Sequence, residues 1–293
     1  MKISGFSFVK NAIKFGYPLR ESIESLLPLV DEYIIACGDS DDGTTELVRS
    51  INNPKIRIIE TNWDAKAKSG GRIYAEQTNL SLKECSGDWC FYLQADEVLH
   101  EMDYDLIKLD LEKANSNKEV EALLFRYIHF YGKYNLIGIG RQWYRREIRA
   151  FRNIKGVTSW GDAQGFRVEN GEHSFRKLKA MQSEANIYHY GWVRPPKNQF
   201  MKIRTTMKFY GGEEFNPELA DAEDFIYDGA FSLATFTGSH PKLMLKKIDE
   251  DKDWIELIKI VPRLKPIKVK ILDAIENNTG IRIGEYKNFI EVK

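Results

Sequence analysis

The sequence predicts an α/β fold: a mixed, mostly parallel central sheet flanked by helices, with a helical C-terminal extension. Three observations predict it. Short apolar runs suited to buried strands alternate with segments of helical period through the first 100 residues. A polar, glycine-bearing loop, Gly38 to Thr44, breaks the second run before the next helix, and strands alternating with helices of this length argue for right-handed crossovers. From Pro195 onward the helical pattern dominates, which sets an expected boundary between residues 1–194 and 195–293.

Lys2 to Val9 is the first apolar run, and Pro18 stands where a helix accepts proline, ahead of Leu19, Ile23, Leu26 and Leu27 at helical spacing. Glu32 to Cys37 makes the second strand. Gly38-Asp39-Ser40-Asp41-Asp42-Gly43-Thr44 breaks it before Leu47, Val48 and Ile51 resume helical period. Ile56 to Thr61 is a third strand, Tyr74 to Cys85 a third helix, and Trp89 to Gln94 a fourth strand running into Ala95-Asp96-Glu97. In such sheets ligands sit beyond the carboxyl ends of the strands, so the clusters after strands two and four face one crevice. After about residue 120 the alternation weakens. Ala122 to Phe130, Gln142 to Arg152 and Ile187 to Val193 read as strands that extend the sheet. Helical spacing follows at Phe200, Ile203, Met207 and Phe209 or Tyr210, at Phe225, Ala230, Leu233 and Ala234, and over Leu257 to Val261.

Composition excludes several classes. A chain of 293 residues buries a sizeable core without disulfides. Forty-three basic and 43 acidic side chains cancel, which removes the general attraction that nucleic-acid binding displays. Cys37, Cys85 and Cys90 form no CxxC pair, so a reducing compartment is expected rather than a disulfide framework or structural zinc. No signal peptide pattern opens the sequence, and no segment approaches the roughly 18 apolar residues of a membrane span. The expected location is cytoplasmic.

Several residues stand out for chemistry, each with a plainer reading beside it. Asp96 and Glu97 close a buried strand, placed for a hard cation that a diphosphate shares; an acidic pair ending a strand is the alternative. Asp39 and Asp42 lie in a strand-to-helix loop, where carboxylates accept hydrogen bonds from a base or ribose, or simply cap the helix. His189, one of five histidines, completes a metal site opposite Asp96 or packs in an aromatic strand. Asp162 follows Ser159-Trp160-Gly161 in a glycine-bearing loop and is a candidate general base, with Glu169, Glu172 and His173 as competitors. Trp160 and Trp192 are candidates to stack on a sugar. Arg72 beside Gly70-Gly71 is a phosphate candidate, and Arg141, Arg145, Arg146, Arg149 and Arg152 either grip an anion or blunt an edge strand. Lysines 242, 246, 247, 259, 265, 268 and 270 make the tail basic amid Leu and Ile, which suits either anionic lipid headgroups or ordinary helix packing.

Together these segments resemble glycosyltransferase family 2, the inverting nucleotide-sugar enzymes of GT-A (Rossmann-like) fold. Ser4 to Ala12 looks like the family's first strand and loop, and Gly38 to Thr44 is similar to its second-strand motif. Trp89 to Glu97 sits where the family places its metal-binding Asp-x-Asp, and His189-Tyr190-Gly191 resembles a later motif of some members. The resemblance implies a nucleotide-binding half over 1–100 and an acceptor half over 101–194. It implies a nucleotide-diphosphate sugar as donor, a hydroxyl on a glycan or glycolipid as acceptor, and Mn²⁺ or Mg²⁺ on Asp96 and His189. Asp39, Asp42 and Arg72 then serve the donor, Asp162 is the base, and Trp160, Trp192 and Glu97 meet substrate, in polysaccharide or lipopolysaccharide biosynthesis. Two departures are visible: Gln94 fills the first position of Asp-x-Asp, and Cys37 stands where many members carry an aspartate. A degenerate nucleotide-sugar binding protein, or a sugar nucleotidyltransferase, is the alternative.

Overall fold

The computed structural model describes residues 1–64, 70–171, 174–210 and 224–292. Strand β1 (Ile3–Val9) lies at the centre of a parallel set, flanked by β2 (Glu32–Gly38) and β4 (Trp89–Tyr92), with β3 (Ile56–Thr61) outside β2. Both faces of β1 are covered, which is why it reads as a continuous apolar run rather than an alternating one. Helices α1 (Ala12–Phe15), α2 (Leu19–Leu26), α3 (Thr44–Ser50) and α4 (Arg72–Lys83) form the crossovers. Leu19, Ile23 and Leu26 bury the spaced face of α2 against the sheet.

Beyond β4 the chain makes the short β5 (Glu97–Leu99), helix α5 (Tyr104–Ser116), then β6 (Ala122–Tyr131), β7 (Lys133–Gly138), β8 (Arg146–Arg152), β9 (Val157–Trp160), β10 (Gly165–Glu169) and β11 (Phe175–Trp192). The sheet runs β3-β2-β1-β4-β8-β6-β11-β10-β9, turning antiparallel at β4–β8. Strand β8 starts later than the expected Gln142, because Gly140 to Trp143 form a turn and Gln142 caps the backbone of Gly229 and Phe231 instead of joining a ladder. Strand β11 starts far earlier than the expected Ile187. Its first half interleaves Arg176, Lys177 and Lys179 with Leu178 and Ala180, so only alternate residues are buried and no apolar run is visible.

Past residue 194 come α6 (Pro196–Phe209), β12 (Leu233–Thr235), α7 (Met244–Glu250), α8 (Lys252–Leu257), α9 (Ile267–Thr279) and β13 (Phe289–Val292). The helical spacing at Phe225 to Ala234 does not yield a helix. Backbone bonds from Val261 to Tyr227 and from Arg263 to Ala230 hold that stretch extended, and Leu233–Thr235 pairs with β7. Strand β13 pairs in parallel with β11.

Candidate active site

The site grows from the turn that links β4 to β5. Glu97 shapes it: its Oε2 accepts the Gln94 N–H at 3.0 Å, and its own N–H donates to the Gln94 carbonyl. Arg149 grips the same carboxylate with Nε at 2.9 Å and Nη2 at 2.7 Å, and the Tyr127 hydroxyl donates at 2.8 Å. Both members of this pair are wholly buried. With every lone-pair direction of Glu97 engaged, its neighbour Asp96 is the acid left to face outward.

Asp96 is itself buried, and three cationic or basic groups surround it. Lys202 Nζ stands 3.3 Å and Arg194 Nη2 3.7 Å from Oδ2, with His189 Nε2 3.8 Å from Oδ1. Burial alone raises a carboxyl pKa, yet the charges of Lys202 and Arg194, with the His189 imidazole beside them, hold this one down at about 2. Arg194 is fixed in place by the carbonyls of Phe15 (3.0 Å) and Gly191 (2.7 Å), with its guanidinium over Tyr17.

Hydrogen bonding sets the tautomer of His189. Burial pushes the His129 imidazole down to about 3, so it is neutral, and its Nε2 lies 2.7 Å from the Tyr144 carbonyl, which only accepts. The proton is therefore on His129 Nε2, and its bare Nδ1 accepts from His189 Nδ1 at 2.9 Å. That leaves the His189 Nε2 lone pair toward Asp96. Gly191 keeps the corner open, since a Cβ there would press on His189 Nε2 and lie 3.1 Å from Asp96 Oδ2. One carboxylate oxygen, one imidazole nitrogen and this gap fit a divalent cation whose other ligands are phosphate oxygens and water. Among the described residues no group of three such ligands exists.

Asp96 borders a cavity of about 440 Å³ beyond the carboxyl ends of β1 and β4. Trp63, Tyr74 and Phe209 form an aromatic wall with ring centroids 5.6–6.0 Å apart, and Tyr17, Lys10 and Lys202 line it too. A second cavity of about 860 Å³ lies beside it, bordered by Tyr144, Glu147 and Tyr286. Gln94 and Asp162 line both. The Asp162 carboxylate accepts the Tyr210 hydroxyl at 2.6 Å, and Gly71, at φ +73°, lets both residues approach α4 where a Cβ would lie 2.8 Å from each.

Residues 11–170 match the family model for Glycosyl transferase family 2. The chain belongs to that family. Its fold is GT-A, the mixed sheet described above. A curated relative, the lipopolysaccharide core biosynthesis glycosyltransferase LpsC of Rhizobium meliloti (strain 1021), is 37% identical over 83 residues, 28% of this chain. The match spans only about a quarter, 27%, of that relative's length. Among solved structures, S. aureus TarS is 14% identical with a TM-score of 0.39, covering 70% of this chain and 39% of that one. Glucosyl-3-phosphoglycerate synthase from Mycobacterium tuberculosis, in complex with Mn²⁺, UDP and glucosyl-3-phosphoglycerate, is 18% identical with a TM-score of 0.32, covering 45% of each chain.

In this family 2 chain the structure brings Asp96 and Asp162 to one cavity, with His189 beside Asp96, and leaves other expected site residues elsewhere. Asp39 stands at the rim, paired with Lys10 at 2.7 Å and accepting the Trp63 N–H at 3.0 Å. Asp42 is spent on structure: Oδ1 takes the Thr44 N–H and hydroxyl, and Oδ2 the Lys14 N–H. Arg72 is exposed at the start of α4 and does not line the cavity. Trp160 stacks under the Arg167 guanidinium at 3.7 Å, and Trp192 packs against Tyr131 and Phe225, and neither ring borders the Asp96 cavity. Glu97 meets Arg149 rather than a ligand.

The arginine run also turns inward: Arg141 and Arg145 pair with Asp273, Glu276 and Glu285, Arg146 with Glu291, and Arg152 holds carbonyls at the end of α5. These bonds tie the C-terminal segment to the sheet. Glu169 lies on β10, away from the cavity, while Glu172 and His173 fall outside the described residues. Sequence reasoning missed Tyr17, Arg194, Lys202 and Phe209. A signal was present for the last two: Lys202, Thr205, Thr206 and Phe209 recur at three- and four-residue spacing, one face of a helix.

Proposed function

We propose that the chain transfers a sugar from a nucleoside-diphosphate donor to a hydroxyl acceptor by one in-line displacement that inverts the anomeric carbon. One observation carries this reading: Asp162 and Gln94 border both the Asp96 cavity and the larger one beside it. A donor whose diphosphate lies against Asp96 and an acceptor in the second cavity meet at that junction. The nucleoside rests along Trp63 and Tyr74, with Asp39 at the rim as hydrogen-bond acceptor. Asp96 Oδ1 and His189 Nε2 would hold Mn²⁺ or Mg²⁺, which when bound supplies positive charge to the departing diphosphate. Asp162 takes the proton of the acceptor hydroxyl, and Tyr210 orients its carboxylate. Proton removal and diphosphate departure thus occur on opposite sides of the reacting carbon.

The LpsC relative supports an acceptor in lipopolysaccharide or another cell-surface glycan. In this proposal the chain from Pro195 onward is a C-terminal extension whose helix α6 lines one side of the donor cavity. Among the described residues no helix is long and apolar enough to cross a membrane. Leu257, Leu264 and Ile267 are 81%, 91% and 76% exposed beside Lys259, Lys265 and Lys268, and we propose that this surface rests on anionic headgroups at the inner membrane face. Co-flotation with phosphatidylglycerol vesicles but not phosphatidylcholine vesicles is the expected result; equal flotation with both refutes it.

The test of the reaction is incubation with Mn²⁺ and a panel of nucleotide sugars. Release of nucleoside diphosphate is expected from one of them, and Asp162→Asn should bind that donor but lose transfer. Gln94 in place of an aspartate favours one other reading, a binding protein without turnover. Binding with no release from any donor, with acceptor glycans present, selects it.

A further inference from the structure

Resting on the donor-site reading, we propose that Lys202 of α6, outside the family-matched residues, is a diphosphate-binding cation, so that part of the diphosphate's affinity needs no metal.

Placement comes first. Lys202, Thr205, Thr206 and Phe209 face the cavity from one side of α6. The helix is pinned at both ends, by the Asn198 side chain donating to the Lys14 carbonyl at 2.9 Å and the Gly71 N–H donating to the Phe209 carbonyl at 2.9 Å. Lys202 therefore enters the cavity from a fixed register rather than from a loose surface segment.

Charge decides its role. Asp96 is one carboxylate facing two side-chain cations, Lys202 and Arg194, which leaves the corner with one positive charge in excess at neutral pH. Arg194 is fully buried, and both its terminal nitrogens are committed to carbonyls, so it sets the field without reaching a ligand. Lys202 differs. Its contacts to Asp96 Oδ2 and the Gly191 carbonyl are long, 3.3 and 3.4 Å, and an ammonium has three donors, so one remains for a ligand. Charge-assisted bonds normally close to about 2.7–2.9 Å, and these have not. An excess cation among Phe15, Tyr17 and Phe209 is poorly solvated, and an anion relieves that deficit. A nucleoside diphosphate carries roughly three negative charges at neutral pH, its terminal phosphate titrating near 6. The corner supplies one opposing charge alone and three with a divalent ion on Asp96 and His189. Lys202 and the metal then act on the same anion from two sides.

Calorimetric titration of the full chain with UDP, GDP and ADP, in EDTA and in Mn²⁺, tests this. For the diphosphate that binds, Lys202→Met should weaken affinity about tenfold or more in both conditions, as loss of one charge-assisted bond predicts. Affinity for the matching nucleoside should change less than about twofold, and Lys202→Arg should recover diphosphate binding to within about threefold, because it restores the charge. Should Lys202→Met fail to fold, Lys202→Gln, which keeps a donor but no charge, is read by the same criteria. Unchanged diphosphate affinity in the neutral variant, or equal losses for nucleoside and diphosphate, overturns the inference and leaves the donor-site reading standing. Absence of binding by any nucleotide with or without Mn²⁺ overturns both.

Discussion

Replacing Glu97 by Gln removes one negative charge from the interior with almost no change of shape. Glu97 and Arg149 have relative exposures of 0% and 1%, and two hydrogen bonds of 2.7 and 2.9 Å join them. Arg149 also lies over the rings of Tyr92 and Tyr127 at 5.4 and 5.2 Å, so it has no route to solvent. A buried cation deprived of its partner costs about 3–5 kcal/mol. At a urea dependence of about 3 kcal/mol per molar, that shifts the unfolding midpoint down by roughly 1–1.7 M. The double variant Glu97→Gln/Arg149→Met should lose less than the sum of its singles by at least about 2 kcal/mol, because no unpaired charge is left behind. Urea denaturation followed by circular dichroism on the four proteins of this cycle measures both quantities. A single-variant cost below about 1 kcal/mol, or additive losses, refutes the view that this pair is the structural peg of the Gln94–Asp96 turn.

Two further outcomes follow from the same geometry. Burial, with Glu97 nearby, outweighs Arg149 and pushes the Glu147 carboxyl up to about 7 from 4.5, so the folded state binds a proton that the unfolded chain releases. Stability should therefore fall as pH rises from about 4.5 through 7, by roughly 3 kcal/mol in all, and Glu147→Gln should flatten that slope; urea midpoints at pH 5 and pH 8 that shift identically in both proteins contradict it. Gly191→Ala places a methyl against His189 Nε2 and Asp96 Oδ2, and should cut the Mn²⁺-dependent gain in nucleotide affinity about tenfold or more while leaving binding in EDTA within about threefold. A full Mn²⁺ gain in that variant rules out the Asp96–His189 cation corner.

Much was legible from the chain alone because local rules suffice for it. Buried parallel strands announce themselves as apolar runs, and Lys2 to Val9, Glu32 to Cys37 and Trp89 to Gln94 appear where the structure has β1, β2 and β4. Strand β11 was half hidden, since a strand with one wet face alternates lysine with leucine and resembles a loop. The nearness of Asp96 to the end of a strand was readable; its company was not.

Which of two adjacent acids faces the cavity depends on Arg149, 52 positions from Glu97 and on an antiparallel neighbour. The basic side chains around Asp96 come from β11, the turn after it and α6, about 93 to 106 residues away, and no periodicity relates them. The same holds for the arginine run, whose partners lie near the C-terminus. The sequence by itself determined the layered α/β architecture and the strand end that bears Asp96, because these follow from residue-by-residue hydrophobicity and turn chemistry. Tertiary structure alone decided which charges stay unpaired there, because electrostatic pairing depends on distance in space and on exclusion of water, and neither is encoded in local order along the chain.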